Sequence, residues 1–271
     1  MRSLRSLRSL RSSRSLRDNE RVEIAEHIEA LRSHGGCLAD AAALAGLEAA
    51  VPPCPPWRVK DLLRHTGYIH RWAARHLTEQ PGQILDGPPE REILASGATD
   101  AELIGWFRAG HAALVSLLES ADPGLRTATF MATAATPVGF WARRQAHETA
   151  IHRADADAAL GVRTSYPVAF AVDGIDELIT GFGNRGKYRP PGDADGLAVR
   201  AADTGGEWVV RSVDGRSVAS REAAPDASCV VTGAASDLYL FLWNRHDSDV
   251  TVTGDARVLD TWRSAMRVRW E

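Results

Sequence analysis

Apolar residues recur at spacings of three and four from residue 21 onward. Val22, Ile24 or Ala25, Ile28 and Leu31 open a stripe that continues through Leu38, Ala42, Ala45 and Ala49, which predicts a helix over 21–50. Gly35-Gly36 weakens its middle, and Val51-Pro-Pro-Cys-Pro-Pro56 ends it, because proline lacks an N–H and clashes with the preceding turn. A second helix over 57–77 puts Leu62, His65, Ile69, Trp72 and His76 on one face. Residues 81–89 read as a loop. A third helix over 99–120 turns Leu103, Trp106 or Phe107, Gly110, Leu114 and Leu117 inward, with Thr99 as a fair N-cap. After a small-residue connector, a fourth helix spans 138–160 and stops at Gly161. Residues 170–182 form one more helix.

Four long helices joined by loops predict a four-helix bundle. The pattern then changes. Residues 183–196 are rich in Gly, Pro and charge. Short strand candidates follow at 197–201, 208–213, 228–232 and 250–253, with helices at about 234–244 and 255–266. The expected fold class is therefore α+β. An N-terminal bundle over 21–185 is followed by a linker at 186–196 and a small α+β domain over 197–271.

Charge changes the picture at one end. Residues 1–17 repeat Arg-Ser-Leu and carry six arginines and no acid. Without them, 26 basic residues face 35 acidic ones, so the body is −9 although the whole chain is only −3. A period of three fits neither helix nor strand. Residues 1–20 are therefore expected to be a disordered leader; a transit peptide or an arm for nucleic acid or anionic membranes are the other readings of such a stretch. The acidic body argues against a nucleic-acid-binding domain. No run approaches the length of a membrane span. Three scattered cysteines, Cys37, Cys54 and Cys229, form no disulfide framework or zinc-ligand spacing and suit a reducing, cytoplasmic setting. No glycine-rich phosphate loop or serine-nucleophile elbow is present.

The chemistry concentrates on the fourth helix, at Arg143-Arg-Gln-Ala-His147-Glu148-Thr-Ala-Ile-His152. This resembles the HExxH zinc-protease motif, but the histidines are five apart, not four. At about 100° per residue they diverge by about 140°, so they do not share an ion. Glu148 and His152, four apart, do share a face. That stripe (Trp141, Gln145, Glu148, His152, Asp155, Ala159) reads either as a solvated face with a Glu–His pair or as a ligand-bearing face inside a bundle. His65, between Leu62 and Ile69, is either a hydrogen-bonded core histidine or a third ligand. Three protein ligands would leave a coordination position open, as catalytic sites do. Asp155, one turn beyond His152, is either a solvated acid or the partner that orients its imidazole. His27, His70, His76 and His111 read as surface or core residues.

Three segments carry a family resemblance. Cys54-Pro-Pro-Trp57-Arg-Val-Lys-Asp61-Leu-Leu-Arg-His65, then Ala142 through Asp155, then Ala171-Val-Asp173-Gly174-Ile-Asp176-Glu177-Leu178 resemble the motifs of the mycothiol-dependent maleylpyruvate isomerase-like family, in the DinB-like metalloprotein superfamily. Val231-Thr-Gly233, Leu240-Phe-Leu-Trp243-Asn-Arg245 and Val252-Thr-Gly254-Asp255 are similar to its C-terminal domain. The resemblance runs from about Val22 to Trp270. It implies a DinB-like bundle and a divalent metal, usually zinc, on His65, Glu148 and His152. It also implies mycothiol, an actinobacterial thiol, as cosubstrate and a small electrophile as substrate, isomerised by thiol addition, bond rotation and elimination. An arginine of the C-terminal domain assists in the characterised isomerase; Arg245 is the match here. Asn244 stands where the family commonly has glycine. A metal-binding protein without turnover, or an apolar-ligand carrier using the C-terminal domain, would share the same fold.

Overall fold

The computed structural model describes residues 3–95, 98–185, 196–214, 216–245 and 249–266, with side chains from residue 23 onward except that of residue 185. Most of the linker expected at 186–196 lies outside these residues. The chain divides into two compact units, one of residues 1–51 and 56–160, the other of residues 52–55 and 161–271.

Among the described residues, the first unit holds five helices: α1 (Ser3–Ala45), α2 (Val59–Glu79), α3 (Glu90–Ala95), α4 (Leu103–Ser120) and α5 (Pro137–Ala159). The four long ones form the bundle. α1 packs on α4 and α5, and α2 packs on the same two, so α4 and α5 lie on opposite sides of both. Core residues include Leu31, Leu38, Leu62, Leu63, Ile69, Phe107, Leu114, Phe140 and Trp141.

α1 differs from expectation at both ends and in its middle. It begins at Ser3, so the Arg-Ser-Leu stretch is continuous with the helix. Nothing in that stretch is a helix breaker, since Leu and Arg rank high in helix propensity and Pro and Gly are absent. The helix stops at Ala45, before the prolines, where Gly46 takes a left-handed φ of 82° and its N–H bonds Ala42 O at 3.0 Å. Gly35-Gly36 does not break it. The bare Cα of Gly35 seats the His111 ring of α4, and a Cβ there would lie 2.2 Å from its Nε2. His111 Nε2–H donates to Leu31 O at 2.9 Å. The short helix α3 lies in a stretch where sequence patterning gave no element.

The second unit contains α6 (Val168–Asp176), extended by a π-helical turn (Glu177–Phe182), then β1 (Leu197–Ala201), β2 (Gly206–Val213), β3 (Arg216–Ser220), β4 (Cys229–Gly233), α7 (Ala235–Leu242), β5 (Val250–Gly254) and α8 (Ala256–Ala265). Sheet order is β3-β2-β1-β4-β5, with β1 parallel to β4 and every other pair antiparallel. β3 is the strand that sequence patterning did not single out. The unit begins just after α5, so α6 belongs with the sheet and not with the bundle as the expected boundary at 185 had it. α6 packs on α7, and Asp176 accepts a hydrogen bond from the Trp208 indole of β2 at 3.2 Å. The fold class is α+β, with a helical N-terminal part and a small mixed sheet following it.

Asn244 is accounted for locally. Its φ is +59°, in the left-handed region that glycine and then asparagine tolerate. Asn244 N–H bonds Phe241 O at 3.0 Å and Arg245 N–H bonds Leu240 O at 2.9 Å, the two bonds of a Schellman motif closing α7. Asparagine can thus fill the glycine position and still deliver Arg245 to the turn. All three cysteines are free thiols, and Cys229 is buried in β4. Among the described residues, no helix is long and apolar enough to cross a membrane.

Candidate metal centre

α2 carries His65, and its entry is tightly built. Val51 N–H bonds Trp57 O at 2.9 Å and residues Ala50 and Arg58 pair as a β-bridge, which closes the proline loop. Asp61, in the third position of the helix, accepts from Arg58 N–H at 2.9 Å. Trp57 is thereby held over the site, its ring centroid 4.9 Å from that of His65 and 6.2 Å from that of His152. α5 carries the rest. Thr136 caps it by accepting from Gly139 N–H at 3.2 Å, with Pro137 in the first helical turn.

The stripe of α5 that alternatively read as a solvated face is buried. Gln145, His152 and Asp155 are enclosed, and Glu148 is largely so. Several of the surrounding polar groups are paired, whereas the Gln145 side-chain carbonyl oxygen has no hydrogen-bond partner among the described residues. Arg143 donates to Thr133 O at 3.0 Å, and the Trp141 indole to Ala128 O at 3.2 Å. Thr149 Oγ1 meets His70 Nε2 at 2.8 Å.

Three predicted residues come together. Glu148 Oε1 lies 3.6 Å from His65 Nε2 and 3.2 Å from His152 Nε2. One potential ligand atom from each residue falls within 4.8 Å of the others. A tetrahedral ion with bonds of about 2.0–2.2 Å spaces its ligand atoms about 3.3–3.6 Å apart. The donor set and its spacing therefore fit a divalent ion. Asp155 is fully buried and its Oδ2 sits 2.9 Å from His152 Nδ1. A carboxylate there accepts from Nδ1–H and leaves Nε2 as the coordinating nitrogen.

Electrostatics follow from this crowding. Burial opposes a charge on His152, but the Asp155 and Glu148 carboxylates outweigh it and raise its pKa to about 9. Burial dominates at His65 and lowers its pKa, against the pull of Glu148. Burial would also raise Glu148, yet hydrogen bonding to His152 and His65 and the charge of Arg144 hold it well below the usual carboxylate range.

His147 points elsewhere, as its helical phase requires. Its ring meets the edge of His27, with centroids 6.0 Å apart. His76 is a core residue: Nδ1–H donates to Trp72 O at 2.9 Å, and Nε2 accepts from Leu85 N–H at 3.1 Å. Arg245, in the second unit, donates from Nη1 to Trp243 O at 2.9 Å.

Two neighbours of the site were not read from sequence. Arg144 donates to Glu148 Oε2 at 2.9 Å; their i, i+4 spacing was the available signal. Glu90, at the start of α3, places Oε1 3.9 Å from His65 Nδ1. Nothing local marks it, because it is 25 positions from His65 on an element the pattern missed.

Comparison with known proteins follows from this geometry. Residues 28–157 match the family model described as mycothiol maleylpyruvate isomerase N-terminal domain, and residues 169–261 match that of the MDMPI C-terminal domain.

The chain belongs to the mycothiol-dependent maleylpyruvate isomerase family.

A crystal structure of a mycothiol-dependent maleylpyruvate isomerase matches the fold with a TM-score of 0.61 at 15% identity, covering 86% of this chain and 94% of that one. A histidine-to-alanine mutant of a mycothiol-dependent maleylpyruvate isomerase matches with a TM-score of 0.60 at 14% identity, over the same shares. Comparison with curated protein sequences gives no significant match. Within this family, the two motif segments containing His65 and Glu148–His152 both fall inside the N-terminal match.

Proposed function

We propose that this member of the maleylpyruvate isomerase family is a metal- and mycothiol-dependent isomerase or thiol transferase acting on a small electrophile. The observation that carries the reading is the single oxygen of Glu148 facing the Nε2 atoms of both His65 and His152. His65, Glu148 and His152 would hold a divalent ion, zinc being the first choice for two imidazoles and a carboxylate. Such an ion stabilises a thiolate over a thiol and leaves a position for it.

The chain's own groups do the remaining work. Asp155 holds the His152 proton on Nδ1. Trp57 lays an aromatic wall beside both imidazoles. His65, Glu148 and His152 act as ligands, not bases, so proton transfer falls to the thiol, the substrate or solvent. Arg245 is the candidate for pairing a substrate carboxylate through its planar guanidinium.

Elemental analysis and turnover test this together. The purified protein is expected to contain about one divalent ion per chain and to isomerise a cis-enone diacid only when mycothiol is supplied. His65→Ala and His152→Ala should lose the metal, and His147→Ala should keep it. Arg245→Ala should lose turnover with metal content intact. Equal metal loss in His147→Ala, or turnover indifferent to both zinc and mycothiol across a panel of electrophiles, would sink the reading.

A further inference from the structure

Glu148 is held by one oxygen and presents the other. Oε2 accepts from Arg144 Nη2 at 2.9 Å, while Oε1 faces the two imidazoles. Arg144 is itself buried, one helical turn before Glu148 on α5. A charge-assisted bond in such a setting resists rotation of the carboxylate. Glu148 is thus kept from closing on an ion with both oxygens and filling a second coordination position.

Charge points the same way. Among the described residues, three carboxylates stand around the candidate centre: Glu148 in it, Asp155 behind His152, and Glu90 at its rim beside His65. Three negative charges around a dication disfavour an anionic incoming ligand. Arg144 offsets the nearest of them.

We propose that Arg144 is the positioning residue that makes the centre accept a thiolate: it fixes Glu148 as a one-oxygen ligand and cancels its charge toward the open position. This rests on the metal reading above, and the test separates the two. The protein is loaded with cobalt, whose absorption reports coordination number, and titrated with mycothiol. Wild-type protein should bind one cobalt in a four-coordinate spectrum and show a thiolate charge-transfer band on titration.

Arg144→Gln keeps an N–H donor but removes the charge. It should still bind cobalt one to one, while mycothiol affinity falls about tenfold, the effect of losing one nearby charge in a partly buried site. Arg144→Lys restores the charge and should recover the affinity to within about threefold. A purely structural arginine would instead lower cobalt uptake and thiol binding together in both variants, and that result overturns the proposal. So does an Arg144→Gln protein that binds mycothiol as wild type does. If Arg144→Gln fails to fold, the lysine variant decides, since loss of thiol affinity there with cobalt still bound contradicts a charge-based role. A wild-type protein that takes up no cobalt defeats the metal reading, and this proposal with it.

Discussion

His152 carries the clearest pH signature in the molecule. Its folded pKa of about 9 exceeds the ordinary value of 6.5, so the protonated form is favoured by folding. The stabilisation is complete below pH 6.5 and is lost as pH rises through about 9. The other shifted histidines, His34, His65, His70, His76 and His111, are all lowered, with burial the leading cause. They change protonation between folded and unfolded states only at or below about pH 6.5, so they do not blur that window. Urea unfolding of chelator-treated protein should therefore show a loss of about 2 kcal/mol between pH 7 and pH 9. In Asp155→Asn, which lacks the carboxylate behind the ring, the loss should shrink markedly. An unchanged pH slope in that variant would show that Asp155 does not charge His152.

Four residues at the site show how much local spacing reveals. Glu148 and His152 announce themselves by a helical interval, and His65 by its place in an apolar stripe. Arg144 announces itself only once Glu148 is known to face inward, because an arginine four residues before a glutamate is ordinarily a solvated pair. Here both side chains are enclosed or nearly so, and the same pair becomes part of the centre.

At the scale of elements, the expected helices of the bundle correspond to observed ones, but not all their ends do: α1 stops before Gly46, short of the prolines, and α4 begins at Leu103 after Glu102 and not after the expected Thr99 cap. Patterning was weakest where packing overrides it. Gly35 and Gly36 are identical to a propensity argument, yet their surroundings differ. Gly35 lies under the His111 ring, and a Cβ at Gly36 would meet nothing within 4 Å. Gly36→Ala should stabilise the protein by up to about 1 kcal/mol, the usual gain from replacing glycine inside a helix. Gly35→Ala should reverse the sign, since the ring or α4 must shift to admit the methyl. Denaturant midpoints of the two variants check this, and two shifts in the same direction would contradict the α1–α4 packing. The polar stripe of α5 was ambiguous for a different reason. The helix is packed against α1 and α2, and buried polar residues such as Arg143, Arg144 and His152 bond a backbone carbonyl, Glu148 and Asp155 in turn. α3 and β3 are short, and short elements carry too few periods to stand out.

At the scale of the molecule, the candidate ligands come from α2 and α5, so an ion on them would tie the two helices together. Zinc at about a hundredfold its dissociation constant should raise the unfolding free energy of the helical unit by about 2.7 kcal/mol. Helical circular dichroism during denaturation reads this directly. The increase should vanish in His65→Ala and persist in His147→Ala; an increase retained without His65 would place the ion elsewhere.

The sequence by itself determined which residues could share a helical face, that Gly161 closes α5, and that a bundle precedes a small α+β part. Those are properties of spacing and of single residues, which act over one or two turns of chain. It also carried the family through motifs spread over most of its length. Only the tertiary structure decided that the polar stripe of α5 faces inward, that Glu148 reaches His65 across 83 positions, that Arg144 holds its second oxygen, and that α6 joins the sheet. The reason is that burial of a face depends on which helices surround it. That is fixed by long-range packing, and the polar residues on the buried stripe of α5 leave no local hydrophobic trace of it.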